Sequence, residues 1–164
     1  MARILVIHGP NLNLLGRREP TIYGSQTLAA IDERLTELAT QRGHHLTCRQ
    51  SNHEGELITW IQEAAGEVDL LLLNPGGYTH TSVALRDALL ATGLRTIEVH
   101  VSNPHGREPF RHRSFIAGVV QARVMGFGWR SYEVALLGGL SWIEADEGAP
   151  PAGERGSAPL IQPG

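Results

Sequence analysis

Five short apolar runs alternate with segments of helical periodicity, and this alternation constrains the fold more than any other property of the chain. Residues 3–7 (RILVI) read as a strand. Leu28, Ile31, Leu35 and Leu38 then recur at helical spacing, with Gly43 as the stop signal. Residues 44–50 give a second, weaker strand. Ser51, Asn52, His53 and Glu54 form a capping-box pattern ahead of Leu57, Ile58, Ile61 and Ala65, a second helix. Residues 68–73 are predominantly apolar, as expected of a strand covered on both faces. Thr81 and Ser82 cap a third helix ending near Gly93, and residues 96–101 read as a fourth strand. After a polar loop, residues 118–125 give a fifth strand and residues 129–143 a last helix, weakened by Gly138 and Gly139.

Strands alternating with helices in this way predict an α/β fold, a parallel sheet with helices on both faces. Five strands favour a flavodoxin-like, doubly wound order, 2-1-3-4-5. The 164 residues suit one domain, expected over 1–145. Residues 146–164 are rich in Gly, Pro and Ala without periodicity and are expected to be a disordered tail. No run approaches the roughly 18 apolar residues of a membrane span, and no signal-peptide pattern opens the chain. A cytoplasmic location without membrane association is therefore expected. The net charge of −3 gives no support for nucleic-acid binding. One cysteine, Cys48, permits neither an internal disulfide nor a CxxC cluster, and no histidine spacing suggests a metal site. All 14 basic residues are Arg. Without Lys the chain can form neither a lysine Schiff base nor a Walker A phosphate loop.

Ligands of doubly wound sheets bind beyond the carboxyl ends of the strands, and the unusual polar residues of this chain fall there. Asn11, Asn13, Arg17, Arg18 and Tyr23 follow strand one, and the run from Asn74 to Ser82 follows strand three. Glu98, His100, Ser102 and Asn103 stand at the end of strand four, with Arg107 and Arg111 beyond. A tyrosine ordinarily titrates near 10, so a basic Tyr23 needs roughly 4 kcal/mol of stabilisation of its anion, much of which a nearby Arg18 can provide. The other reading of Tyr23 is a surface-loop residue. Gly76 and Gly77 would let backbone approach a ligand, and the free N–H groups of the helix opening at residues 79–82 suit an anion, with His80 as a further donor. The same hydroxyls also read as a plain helix cap. Glu98 and His100 share one face of a buried strand, a costly placement unless they pair. Pairing fixes the imidazole for general acid work, and it equally describes a structural ion pair. This equipment suits proton transfer on a small polar anion, such as an elimination or isomerisation.

The run from Gly9 to Gly16 (GPNLNLLG), followed by Arg18-Glu19-Pro20 and Tyr23-Gly24, resembles the opening signature of the type II 3-dehydroquinate dehydratases. The run from Asn74 to Ser82, then Arg86-Asp87, the run from Ile97 to Asn103, and the run from Arg107 to Arg111 resemble its later blocks, in order. The resemblance covers residues 3–143. It implies a cofactor-free lyase that converts 3-dehydroquinate to 3-dehydroshikimate. Tyr23, kept basic by Arg18, would remove the C2 proton, and Asn11 with a bound water would stabilise the enolate. His100, oriented by Glu98, would protonate the departing C1 hydroxyl. Asn74, His80, Val101, Ser102 and Arg111 would hold the substrate. Asp87 would reach a neighbouring subunit, because the family forms trimers packed into dodecamers. The loop over residues 17–24 would act as a lid. His8 stands where many relatives have Asn, and Val101 where Ile is frequent; neither change removes a catalytic group. The rival reading is a flavodoxin-like binding protein for a nucleotide or a small carboxylated metabolite.

Overall fold

The computed structural model describes residues 1–17, 21 and 25–148. The strands are β1 (Arg3–His8), β2 (His45–Gln50), β3 (Leu70–Asn74), β4 (Thr96–His100) and β5 (Ala122–Met125), and the helices α1 (Leu28–Gln41), α2 (Glu54–Ala64), α3 (Val83–Thr92) and α4 (Arg130–Glu147). All strand pairings are parallel and the order is 2-1-3-4-5, as the sequence pattern predicts. Among the described residues no helix is long and apolar enough to cross a membrane.

Two apolar layers sandwich the sheet. On one face Ile4 and Val6 of β1, Leu70 and Leu72 of β3, and Ile97 and Val99 of β4 pack against α1 and α4. On the other, Leu5, Ile7, Leu71 and Leu73 pack against Leu57 and Ile61 of α2 and Leu85 and Leu89 of α3. The alternation of side chains along each strand sends neighbours to opposite layers, so the three central strands are buried throughout apart from the first residue of β1. Helix spacing supplies the facing stripes, for example Ile31, Leu35 and Ala39 in α1.

The structure departs from the sequence reading at several ends. The capping box before α2 does not form, because the N-cap is His53 and its side chain makes no cap bond. Ser51 Oγ instead accepts from His53 N at 3.0 Å and donates to Glu56. The fifth strand begins at Ala122, since residues 118–121 form a turn that leads onto the sheet edge. Helix α4 runs on to Glu147, where Asp146 accepts from Arg95 at 2.8 Å, and residues 149–164 lie outside the described residues.

The paired glycines of α4 have opposite surroundings. A Cβ on buried Gly139 would lie 2.3 Å from Leu70 Cδ2 and 3.2 Å from Ile97 Cδ1, so this glycine sets how closely α4 approaches the sheet. A Cβ on exposed Gly138 would meet nothing within 4 Å. Gly138→Ala is expected to stabilise by up to about 1 kcal/mol through helix propensity. Gly139→Ala should fall below it by roughly 1–3 kcal/mol, because Leu70 must repack in a filled core. Urea unfolding of the two variants measures the difference.

Candidate active site

The first three central strands end at one edge of the sheet in polar residues, His8, Asn74 and His100. A concave pocket lies beyond this edge, lined by Asn11, Asn74, His80, His100, Ser102 and Arg111, among others. The loops after β1 and β3 form its wall, and two glycines let them meet. A Cβ on Gly9 would sit 2.5 Å from the Pro75 carbonyl, and one on Gly76 would sit 3.0 Å from Pro10 O. Gly76 also has φ +58°, which a side chain would strain. Its close approach is therefore to the opposing loop, while Gly77 meets nothing within 4 Å and lines the pocket. Asn11 adopts φ 66°, and its backbone N–H donates to Asn52 Oδ1 at 3.0 Å. A left-handed asparagine at a pocket mouth is a form of local strain that binding sites often carry.

The structure divides the segment read as a helix opening at residues 79–82, and Ser82 is the N-cap of α3. Residues Gly76–His80 form a separate 3₁₀ turn, and the start of α3 lies outside the pocket lining. Thr79 Oγ1 donates to Gly76 O at 2.7 Å, and Ser82 Oγ accepts from Leu85 N at 2.9 Å, so both hydroxyls serve local structure. Among the described residues, Arg107 and Arg111 bring positive charge to the pocket lining. Arg111 Nε is held by Glu108 at 2.6 Å, and Arg107 Nη1 donates to Ser102 Oγ at 3.3 Å. His80 Nδ1 donates to the Arg113 carbonyl at 2.7 Å. Burial, opposed by that bond and helped by His100 and Arg111, pushes the His80 imidazole below its ordinary value.

Glu98 is fully buried and His100 nearly so, and their side chains meet at 2.9 Å. A carboxylate accepts only, so His100 Nε2 donates to Glu98 Oε2. The other ring nitrogen makes no hydrogen bond to the described residues, and His100 lines the pocket. Two further donors hold the carboxylate. Ser114 Oγ donates to Oε1 at 2.6 Å, and Arg123 Nε and Nη2 reach Oε2 at 2.8 Å. The β4–β5 register puts Arg123 directly beside Glu98 on one face of the sheet. Burial works to raise the Glu98 carboxyl, but His100, Ser114 and Arg123 outweigh it and hold it below the usual carboxylate range.

The predicted residues thus divide. Asn11, Asn74, His80, His100, Val101, Ser102 and Arg111 converge on the pocket, with Glu98 behind His100. Asp87 lies on the exposed face of α3, away from the pocket of its own chain. Arg18 and Tyr23 lie outside the described residues. Residue reading missed Ser114 and Arg123, and it named Arg107 without a role. The pattern of β5 could have flagged Arg123, a lone charge in an otherwise apolar strand. Among the described residues one group of three possible metal donors occurs, His8, Asp32 and Cys48, with donor atoms within 4.8 Å of one another. It lies outside the pocket lining. Burial first, and Asp32 second, push the Cys48 thiol well up, and two of the three donors, His8 Nε2 and Asp32 Oδ1, already bond each other at 2.7 Å.

The family described as class II dehydroquinase matches residues 2–139, most of the chain. The chain belongs to this family. A 3-dehydroquinate dehydratase of Marinobacter nauticus is 54% identical over 144 residues, covering 87% of this chain and 99% of the relative. One from Cellvibrio japonicus is 60% identical over 137 residues, 83% and 93% of the two chains. The crystal structure of the type II dehydroquinase from Butyrivibrio crossotus superposes with TM-score 0.83 at 42% identity, covering 85% of this chain and 97% of the other. The family's flavodoxin-like sheet is the fold described above.

The Glu98 cluster generates a pH prediction. A carboxyl held below its unfolded value adds stability that is fully present above the ordinary glutamate pKa, about 4.3, and is lost as pH falls through the folded value. Arg123→Gln removes one of the groups that depress it, so about 1–3 kcal/mol should be lost at pH 7. Urea titrations should show the gap between wild type and variant narrowing as pH falls below about 4.3.

Proposed function

We propose that the chain is a cytoplasmic enzyme that dehydrates 3-dehydroquinate to 3-dehydroshikimate, using neither a metal nor an imine. The observation that carries this reading is the Glu98–His100 pair, one ring nitrogen of His100 bound to a buried carboxylate while the ring lines the pocket. The names of the related enzymes support the substrate. The pocket supports its class, since Arg107, Arg111 and His80 suit a carboxylate and Asn11, Asn74 and Ser102 suit hydroxyls.

In the proposed reaction the Tyr23 phenolate, stabilised by Arg18, takes the C2 proton beside the ketone. The C–H electron pair moves into an enolate, whose oxygen is stabilised through Asn11 and a bound water. The enolate then collapses, the C1–O bond breaks, and His100 delivers a proton so that water leaves. With Nε2 engaged by Glu98, that proton comes from Nδ1, and Glu98 stabilises the imidazolium before transfer. Val101 and the other lining residues hold the ring in place. The exposed position of Asp87 on α3 supports its action at the site of a neighbouring subunit in a trimer, with trimers assembling into a dodecamer.

Adding 3-dehydroquinate to chelator-dialysed protein should produce the ultraviolet absorbance of the conjugated enone, and borohydride treatment should leave the rate unchanged. Binding of 3-dehydroquinate without that absorbance would replace an enzyme with a binding protein. Tyr23→Phe and His100→Gln should each lower kcat by about 10²–10⁴ while keeping the circular dichroism of the native fold. Near-normal kcat in either variant removes that residue from its role. Arg18→Ala should lower kcat and move the limb of the pH–rate profile that reports the base to higher pH.

A further inference from the structure

On the sheet face opposite Glu98, a chain of hydrogen bonds runs from α1 to the pocket wall. His8 Nε2 meets Asp32 Oδ1 at 2.7 Å, and His8 Nδ1 meets Tyr132 Oη at 2.8 Å. Asn74 Nδ2 donates to the same Tyr132 oxygen at 3.0 Å, and Gly76 N donates to Asn74 Oδ1 at 3.2 Å. The β1–β3 register places His8 beside Asn74, and Tyr132 of α4 bridges the two.

Chemistry fixes the direction of every bond. The Asp32 carboxylate accepts only, so His8 Nε2 carries a proton. Among the described residues His8 Nδ1 is the one acceptor for the buried Tyr132 hydroxyl, so it accepts from that O–H. With its proton engaged, the phenol oxygen accepts from the Asn74 amide nitrogen. At the other end the Gly76 N–H donates only, which independently requires the Asn74 oxygen there. The two ends agree on a single orientation of the amide. His8 and Tyr132 are fully buried, so water cannot replace a partner lost on their side of the Asn74 amide. Burial also pushes the Tyr132 phenol well above its ordinary value, which keeps it an O–H donor.

We infer that Tyr132, oriented by His8 and Asp32, is a positioning residue that fixes which way the Asn74 amide faces the pocket. So held, Asn74 keeps one N–H and one carbonyl lone pair unused, a combination suited to a substrate hydroxyl, which can both accept and donate. The inference rests on the proposed contact between Asn74 and substrate.

The test is a double-mutant cycle read in the affinity for the dehydration product, 3-dehydroshikimate, by calorimetry, with wild-type turnover of 3-dehydroquinate as the control. Tyr132→Phe keeps the ring in the core and deletes only the hydroxyl. It should weaken product binding about 5–10-fold and raise KM by a similar factor, with a smaller change in kcat. In an Asn74→Ala background the same change should have no further effect on affinity, because the group it positions is gone. His8→Asn, which restores an acceptor for Tyr132, should retain several-fold more affinity than His8→Leu. Unchanged affinity in Tyr132→Phe overturns the inference, and so does an equal loss in both backgrounds, the mark of a general packing role. Unchanged affinity in Asn74→Ala overturns it by removing the substrate contact, while normal wild-type turnover leaves the enzymatic reading standing. Absence of wild-type turnover is the separate failure of that reading.

Discussion

A polar side chain at the end of a covered strand must find its partners inside the protein, because water is excluded and an unmet hydrogen bond there costs roughly 1–3 kcal/mol. The central strands of this sheet impose that demand repeatedly. His8, Asn74, Glu98 and His100 all stand at or near the carboxyl ends of strands whose other residues, apart from Arg3 and Thr96 at the opening positions, are apolar. No buried side-chain nitrogen or oxygen among the described residues lacks a partner. The architecture around the pocket is largely the set of solutions to this demand.

Those solutions are segregated by the pleat. Glu98, in the layer of α2 and α3, gathers His100, Ser114 and Arg123. His8 and Asn74, in the layer of α1 and α4, gather Asp32 and Tyr132. Register creates both clusters, since Glu98 stands beside Arg123 and His8 beside Asn74 in neighbouring strands. One cluster presents an imidazole to the pocket and the other an amide. Because they occupy opposite faces, a change in one need not disturb the other.

Strand order and most of the pocket lining were legible in the chain, because apolar runs of strand length and helical spacing report burial directly. Local polar chemistry was less legible. Ser51 sits three residues before Glu54, the spacing of a capping box, yet its hydroxyl turns to Glu56 and the His53 amide. Thr79 and Ser82 looked equally suited to an anion or a cap, and only the 3₁₀ turn between β3 and α3 decides for local structure. Ser114, Arg123 and Tyr132 acquire their roles through contacts 16, 25 and 58 positions away in sequence. Periodicity carries no trace of such pairings. His8 was visible as an unusual residue beside a glycine, but its partners come from α1 and α4 and depend on how those helices dock.

The order of these residues along the chain bears on how the protein is made. Among the described residues the pocket lining ends at Arg111, whereas Ser114, Arg123 and Tyr132 all follow it. A ribosome therefore releases every lining residue before any of these supports emerges, and the nascent chain at that stage holds Glu98 with His100 as its sole partner from the cluster. The connection to β5 brings Ser114, while strand β5 and helix α4 bring Arg123 and Tyr132 and, in docking, also cover the last exposed flank of β4. The binding surface thus gains the last of its internal supports when the final strand and helix arrive, so full ligand recognition is a late event of biosynthesis, coincident with closure of the core.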